Sequence, residues 1–494
     1  MRVDQLLDDP TLADGAAHPV EVRGVTANSR GVEPGYLFAA LKGLNVDGAD
    51  FIGDAVARGA VAVLTRPGVD VAGKLDANSA VPLVVHDSNP EQRFALLAAR
   101  FYARQPKTIA AVTGTNGKTP VARFPRQIWT KLGFRAASMG TLGVVGPRGV
   151  SELRYTTPGP VAVFETLRAL ADDEVDYLAM EASSHGLAQY RMDGVHLRAA
   201  AFTNLTQDHL DYHPTFDDYL QAKLRLFSEL LPTGGTAVIN ADADLPVNIM
   251  AVCRGRGADV MEVGTTAPAT GRHIRLNRCT PDLHGQILSV RWQDAEFDVH
   301  VPLVGSFQAS NALMAAGLAI ACGAAPDAVF RALASLEGVP GRLQLAGRTA
   351  KAAPIFVDYA HTPDAIANVL DALRPHTEGR LHIVLGAGGD RDRTKRPLMA
   401  AAAAARADVV SVTDDNPRTE DPADIRREVL AGAPDAQDVP GRAAAIAQAI
   451  GGLAAGDVLV IAGKGHETGQ IVGDEVIPFS DIEEVRRVLG GEAA

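Results

Sequence analysis

Short apolar runs alternate along this chain with polar, turn-rich stretches. Over residues 1–105 the runs Val22–Val25, Tyr36–Leu41, Ala60–Leu64 and Val81–Val85 read as strands, and Pro34-Gly35 punctuates them. Phe51–Gly59 reads as a short helix between strands, so this stretch predicts a small α/β unit. Thr108–Val112 is an apolar run of the fully buried kind, and to about residue 338 Val175–Met180, Ala199–Phe202 and Thr236–Asn240 repeat it, with a helical stretch over Phe216–Leu231. Near-continuous apolar strands joined by helices predict a parallel sheet covered on both faces. Residues 273–304 differ: Ile287, Ser289 and Arg291 alternate with Leu288, Val290 and Trp292, which predicts an antiparallel flap on that sheet. Gly338-Val339-Pro340-Gly341 reads as a seam. Beyond it Pro354–Val357, Leu381–Leu385, Ala407–Val412 and Val458–Ala462 are separated by Ala-rich helical stretches, a second doubly wound, Rossmann-like sheet. It lacks G-x-G-x-x-G, so dinucleotide binding is not indicated. The expectation is α/β throughout, with three domains at 1–105, 106–338 and 339–494.

Length agrees, since 494 residues hold about three domains of ordinary size. Hydrophobic residues at 47% and charged ones at 21% exclude a disordered chain. The balance of 47 basic against 59 acidic side chains, a net of −12, argues against a nucleic-acid-coating role. Three scattered cysteines, Cys253, Cys279 and Cys322, suit neither a disulfide framework nor zinc, and no H-E-x-x-H occurs. The N-terminal residues carry Asp4, Asp8 and Asp9 without a long apolar stretch, and no run approaches the ~18 apolar residues of a membrane span. A soluble, acidic, multidomain cytoplasmic protein is expected.

Candidate chemistry centres on Val112-Thr113-Gly114-Thr115-Asn116-Gly117-Lys118-Thr119, directly after an apolar strand. A Gly-rich turn opening a helix aims backbone N–H groups at phosphate, and the helix dipole adds to the attraction. Lys118 would reach the β/γ-phosphates and the Thr119 hydroxyl would ligate magnesium. The strict P-loop places Gly where Val112 stands. Pro120 removes an N–H such a loop could use, and Pro125, if helix-internal, costs about 3 kcal/mol, so that helix is kinked there or compensated by packing. Two acidic-histidine clusters follow at strand ends: Met180-Glu181-Ala182-Ser183-Ser184-His185, and Thr203 to His213 with Asp208, His209 and Asp211. Carboxyl ends of parallel strands are where open α/β sheets carry their sites. From the residues alone the reading stops at Mg-ATP chemistry with a polar second site, and Lys223 reads as an ordinary amphipathic-helix lysine.

Gly114–Thr119, Glu181–His185, Asn204 to His213 and Tyr219-x-x-x-Lys223 together resemble the ATP-dependent Mur ligases. So do Asp358-Tyr359-Ala360-His361-Thr362-Pro363-Asp364, Gly388 to Arg393, Asp415-Asn416-Pro417-Arg418 and Gly463-Lys464-Gly465-His466-Glu467, four motifs in order over essentially the whole chain. The resemblance implies that ATP phosphorylates a carboxylate of a nucleotide-sugar dipeptide, UDP-N-acetylmuramoyl-L-alanyl-D-glutamate, and that an amino acid's amine attacks the acyl phosphate, in peptidoglycan precursor synthesis. It implies ATP contacts at Gly114, Thr115, Asn116, Gly117, Lys118, Thr119, Pro120, Asn311, Arg342, Asp358 and His361, with Gln308 and Pro120 departing from the family's residues there. It implies catalytic roles for Lys118, Lys223, Glu181 and His209, and magnesium held by Thr119, Glu181, His209 and Lys223 as a carbamate. Sugar-nucleotide and peptide contacts fall on Ser29, Thr156, Thr157, Ser183, Gln189 and Arg191. Amino-acid contacts fall on Arg391, Asp415, Asn416, Pro417, Arg418, Gly463 and Glu467. The Asp-Asn-Pro-Arg run points to meso-diaminopimelate, whose far carboxylate suits a planar Arg fork, with L-lysine as the alternative. Cofactors are ATP and Mg2+; the partners are these two small substrates, without nucleic acid or membrane, and the protein is expected to be a monomer. Two other readings are a folylpolyglutamate synthase and a nucleotide-binding homologue with impaired catalysis.

Overall fold

The structure, a computed structural model, describes residues 1–7, 13–14, 20–43, 46–77, 79–153, 155–208, 212–244, 249–266, 271–282 and 285–490. It divides into two compact units: Met1–Ile109 with Arg135–Arg198 and Ala222–Pro232, and Ala110–Phe134 with Ala199–Gln221 and Thr233–Ala494.

In the first unit a five-stranded sheet runs Ala13–Asp14, Leu83–His86, Ala62–Thr65, Tyr36–Ala39, Gly24–Thr26. The last four pair in parallel and the first is antiparallel. Helix Ile52–Ala57 covers it, burying Ile52 and Ala55 against Phe38 and Val63. The predicted strands are present: three begin two residues later than expected, and Tyr36–Ala39 begins as expected and ends two residues earlier. The same unit holds Tyr177–Glu181 parallel to Ala136–Gly140, which continues antiparallel into Gly143–Gly146 and Gly149–Ser151.

In the second unit Leu197–Phe202, Thr236–Asn240, Asp259–Gly264 and Arg272–Asp282 pair in parallel, and Gly285–Trp292 and Ala295–Val301 add on antiparallel. This is the flap read from the alternation: Leu288, Val290 and Trp292 are buried and Ile287 is exposed. Helix Ser306–Ala321 is buried nearly all round, as its run of small apolar residues requires. The C-terminal sheet has six strands in the order Gln344–Arg348, Pro354–Asp358, Val458–Ala462, Leu381–Leu385, Val409–Val412, Gln437–Asp438. Its two faces feed separate cores. Ile383, Leu385, Val458 and Val460 point one way; Val384, Leu459 and Ile461 point the other, the period-two arrangement of a sheet covered on both sides. No helix among the described residues is long and apolar enough to cross a membrane.

Candidate active site

Strand Thr108–Thr113 delivers the chain into the glycine-rich turn, and helix Lys118–Lys131 leaves it. Gly114 (φ +141°) and Gly117 (φ +82°) take conformations that favour glycine, and their lack of side chains is used. A Cβ on Gly114 would lie 1.9 Å from Thr203 Oγ1, and one on Gly117 would lie 2.6 Å from Asn311 Oδ1. The second cluster therefore clasps the loop. Asn204 Oδ1 accepts from Asn116 N at 2.8 Å, Asn204 O accepts from Thr115 N at 2.9 Å, and Thr203 Oγ1 donates to Asn116 O at 2.6 Å. The Thr115 and Tyr219 hydroxyls meet at 3.1 Å, and burial pushes the Tyr219 phenol up. Lys118 Nζ folds back to donate to Gly114 O (3.0 Å) and Thr115 O (2.7 Å), which keeps its charge over the loop. Pro120 is the third helical residue, where an N–H has no intrahelical partner anyway. Pro125 lies inside a helix that runs unbroken, buried with Val121, Phe124 and Ile128, so packing offsets the missing bond.

The residues expected around the nucleotide gather at this loop. Asn311 Nδ2 donates to Gln308 Oε1 at 3.1 Å, so glutamine at that position still orients the asparagine. Arg342 Nη2 is 3.4 Å from Thr119 Oγ1, and its guanidinium stacks 4.4 Å from the Tyr359 ring centre. Asn116 Nδ2 donates to Asp364 Oδ2 at 3.1 Å. Asp358 accepts from Leu343 N (2.5 Å) and Ala360 N (2.7 Å); burial pushes its carboxyl up to about 6, against the pull of Arg342. His361 Nδ1 lies 2.8 Å from Tyr359 O, and burial, helped by Lys395, lowers its affinity for a proton.

In the first unit, Glu181 ends its strand buried, with Oε1 accepting from Thr141 N (2.8 Å) and Oε2 from Thr141 Oγ1 (3.2 Å). Thr156 Oγ1 meets Thr141 Oγ1 at 3.0 Å, and Thr157 Oγ1 joins Glu181 O (3.0 Å) to Ser183 N (3.1 Å). Arg191 Nη1 donates to Thr157 O (2.6 Å) and Nη2 to Gln189 Oε1 (2.6 Å). Five of the six residues expected to meet the sugar nucleotide thus join Glu181 in one hydrogen-bond network, through Thr141, Thr157 and Arg191. Ser29 is elsewhere, opening the one-turn segment Ser29–Gly31, capped by Asn28. Lys223 is 1% exposed, so it is not the solvated helix lysine its spacing alone suggests. A five-residue π-helical turn, Leu226–Leu230, follows its helix. His209 and Asp211 lie outside the described residues.

In the C-terminal part of the second unit, the residues expected to meet the amino acid also converge. A Cβ on Gly388 would lie 2.9 Å from Arg418 Nη1 and 3.7 Å from Arg391 Cγ, which puts both arginines at one glycine. Burial and the neighbouring Arg391 push the Arg418 guanidinium below its usual range. Arg418, with φ +52°, donates to Gly389 O at 2.8 Å. Asn416 Nδ2 donates to Glu467 Oε2 at 2.9 Å, Pro417 O accepts from Glu420 N, and Gly463 (φ +117°) lies against Asp415. Sequence reasoning passed over Lys464, fully buried at the centre of this group, and Asp364 on the nucleotide side; both stand inside motifs it singled out.

Among the described residues no three His, Cys, Asp or Glu side chains converge as a metal site. The donors that are described, the Thr119 hydroxyl and the Glu181 carboxylate, are hard oxygens of the kind magnesium takes. An ammonium at Lys223 has no lone pair to offer.

Three family models match in chain order: Mur ligase family, catalytic domain, over residues 21–102; Mur ligase middle domain over 112–319; and Mur ligase, glutamate ligase domain, over 341–465. The UDP-N-acetylmuramoyl-L-alanyl-D-glutamate--2,6-diaminopimelate ligase of Bradyrhizobium diazoefficiens is 50% identical over 494 residues, 100% of each chain. A solved structure of a UDP-N-acetylmuramoyl-L-alanyl-D-glutamate--2,6-diaminopimelate ligase superposes with a TM-score of 0.69 at 32% identity, over 99% of each chain. A Mycobacterium tuberculosis folylpolyglutamate synthase complexed with ADP shares the fold, with a TM-score of 0.63 at 20% identity over 82% of this chain and 95% of that one. With a glycine-rich turn clasped by Thr203-Asn204 and relatives matched from end to end, this chain belongs to the Mur ligase family.

Proposed function

We propose that this chain is an ATP-dependent ligase that joins meso-diaminopimelate to UDP-N-acetylmuramoyl-L-alanyl-D-glutamate in peptidoglycan precursor synthesis. The observation that carries the reading is half-identity over the full length to a relative named for that reaction. The domains divide the work: 1–105 anchors the uridine end through Ser29, 106–338 binds ATP and performs phosphoryl transfer, and 339–494 captures the amino acid.

Two anions, the triphosphate and the acceptor carboxylate, must approach each other, so fixed positive charge is the central requirement. Lys118, the N–H groups of Gly114 to Thr119 and Arg342 supply it on the nucleotide, with Asn311, Asp358 and His361 around the rest of ATP. Thr156, Thr157, Ser183, Gln189 and Arg191 hold the sugar nucleotide. Thr119, Glu181, His209 and a carbamate on Lys223 are the candidate holders of Mg2+, which when bound supplies charge neutralisation at the phosphates. The acceptor carboxylate attacks the γ-phosphorus and ADP leaves; the amine of diaminopimelate then attacks the acyl carbon and phosphate leaves. Arg391 and Arg418 form a fork for the far carboxylate, and Asp415, Asn416 and Glu467 take the neighbouring ammonium. L-lysine would bring no carboxylate to that arginine pair.

The test is phosphate release from ATP with UDP-N-acetylmuramoyl-dipeptide, with and without meso-diaminopimelate. Release that depends on diaminopimelate supports the reading. Nucleotide binding without release would favour an impaired homologue, and L-lysine replacing diaminopimelate at equal kcat/KM would overturn the substrate assignment.

A further inference from the structure

We propose that Lys464 is a positioning residue for amino-acid recognition: its buried ammonium is the fixed counter-charge that orients Asn416 and Glu467. The inference rests on the ligase reading above and deepens it. Lys464 follows strand Val458–Ala462 and is fully buried. A lysine is almost never found there unless its charge is matched. Its Nζ donates to Asn416 Oδ1 (2.8 Å), to Gly469 O (2.7 Å) and to Glu467 Oε2 (3.3 Å), and lies 3.7 Å from Asp415 Oδ1. All three donor positions are used, and two carboxylates flank the ammonium.

The consequence for the ligand lies in which atoms remain. Asn416 Oδ1 accepts from Lys464 and from Ile471 N (2.9 Å), which fixes the amide so that Nδ2 donates to Glu467 Oε2. Glu467 Oε2 is thereby held from two sides, and no protein donor reaches Oε1 among the described residues; Glu467 itself is half-buried. The Asp415 carboxylate likewise keeps acceptor capacity, while Gln470 Nε2 donates to its backbone carbonyl at 2.5 Å. Lys464 thus sits behind a surface whose free oxygens suit an ammonium, beside the arginine pair that suits a carboxylate. It also cancels one of two adjacent negative charges, so the pocket matches a zwitterionic α-amino-acid head better than a lone ammonium. The floor under Lys464 is firm: Arg442 Nη2 donates to Ala462 O at 2.9 Å, and Arg442 is locked by two 2.7 Å bonds to Asp481.

The experiment compares full-length wild type with K464M, which keeps the volume and removes the charge, and K464A, which leaves a cavity. In K464M the KM for meso-diaminopimelate is expected to rise at least tenfold while the KM values for ATP and the sugar nucleotide stay within twofold. In K464A ethylammonium, but not ethanol, should restore diaminopimelate use at least fivefold. Melting temperatures of both variants separate misfolding from mispositioning, because a misfolded protein would lose all three substrates together without rescue. Wild-type diaminopimelate affinity in K464M, or equal loss of all three substrates, would overturn the assignment of Lys464 alone. A wild type that neither binds nor uses diaminopimelate would overturn the ligase reading and this assignment with it.

Discussion

Gly114→Ala is the sharpest perturbation of the glycine-rich turn proposed to hold phosphate. At φ +141° an L-residue pays a backbone cost of about 1–3 kcal/mol. The new Cβ also falls 1.9 Å from Thr203 Oγ1, with Asn204 N and O each at 3.1 Å. Thr203 cannot turn away without giving up its 2.6 Å bond to Asn116 O, worth about 1 kcal/mol. Together these come to about 2–4 kcal/mol, or roughly thirty- to several-hundred-fold if all of it appears in nucleotide affinity. The assay is titration of the full-length protein with ADP or ATP, alongside denaturant unfolding of the same samples. Thr203→Ala in the same chain removes the collision but not the backbone cost. The double variant should therefore lose less than the sum of the single losses, by about 1 kcal/mol or more. Nucleotide affinity within threefold of wild type in G114A, with unfolding free energy changed by less than about 0.5 kcal/mol, would refute this account of the loop.

Arg418→Ala should spare ATP binding and raise the KM for diaminopimelate by tenfold or more, a charge-assisted bond being worth about 1.5–3 kcal/mol; steady-state kinetics with each substrate varied checks it. His466, pushed down to about 4 by burial and then by Arg342 and Arg123, leaves the folded state unable to take a proton that the unfolded state takes near pH 6.5. Stability is therefore lost as pH falls from about 6.5 to 4, by up to about 3 kcal/mol from this group. Asp358, raised to about 6, acts in the opposite sense, because the folded carboxyl holds a proton below pH 6 that the unfolded one releases. H466Q should consequently lose less stability than wild type between pH 7 and pH 4.5 in urea titrations, and an equal loss would reject the assignment. Arg442→Met should cost about 3–5 kcal/mol by stranding Asp481, whereas R442M/D481L should recover most of it, as read by denaturant unfolding.

Parts of this molecule were legible because the signal is local. The turn at Gly114–Thr119 announces itself through residue spacing, and the alternation in 287–292 matches the observed burial, with Leu288, Val290 and Trp292 buried between less buried neighbours. Strand starts slipped because an apolar residue need not be paired: Val22 is buried yet lies outside strand Gly24–Thr26, joined by hydrogen bonds to Met1. Edge elements escaped for the converse reason. Strands Gln344–Arg348 and Gly469–Val472 are half-buried or exposed and Glu475–Pro478 is exposed throughout; none has a buried residue, so burial imposes no pattern on them. The site was legible as motifs and illegible as a network. Lys464 ends an apolar strand like any solvated lysine, and only Asp415 and Asn416, nearly fifty residues earlier, reveal why it is buried. From spacing alone Lys223 reads as a solvated lysine for the same reason, since helical spacing does not say what the rest of the fold lays over a helix.

The charge balance sorts the cations by task. A chain of net −12 that handles several anions must concentrate positive charge locally, because its long-range field works against them. Buried arginines of the scaffold carry carboxylate partners: Arg396 with Glu420 and Glu428, Arg426 with Asp414 and Asp438, Arg225 with Asp193, Arg442 with Asp481. Arg342 and Arg418 differ. Among the described residues their hydrogen bonds go to neutral acceptors, the Thr119 hydroxyl for one and the carbonyls of Gly389 and Asn416 for the other. A guanidinium held by neutral oxygens is oriented without being neutralised, and its charge stays available to an incoming phosphate or carboxylate. Lys464 falls on the other side of that division, matched to Asp415 and Glu467 and closed off from solvent. That is why it is assigned to shaping the pocket rather than to touching the ligand. The acidic surplus is then compatible with anionic substrates: the four buried arginines of the scaffold are cancelled in place, while Arg342 and Arg418 keep a charge that the proposed ligase reading assigns to phosphate and carboxylate.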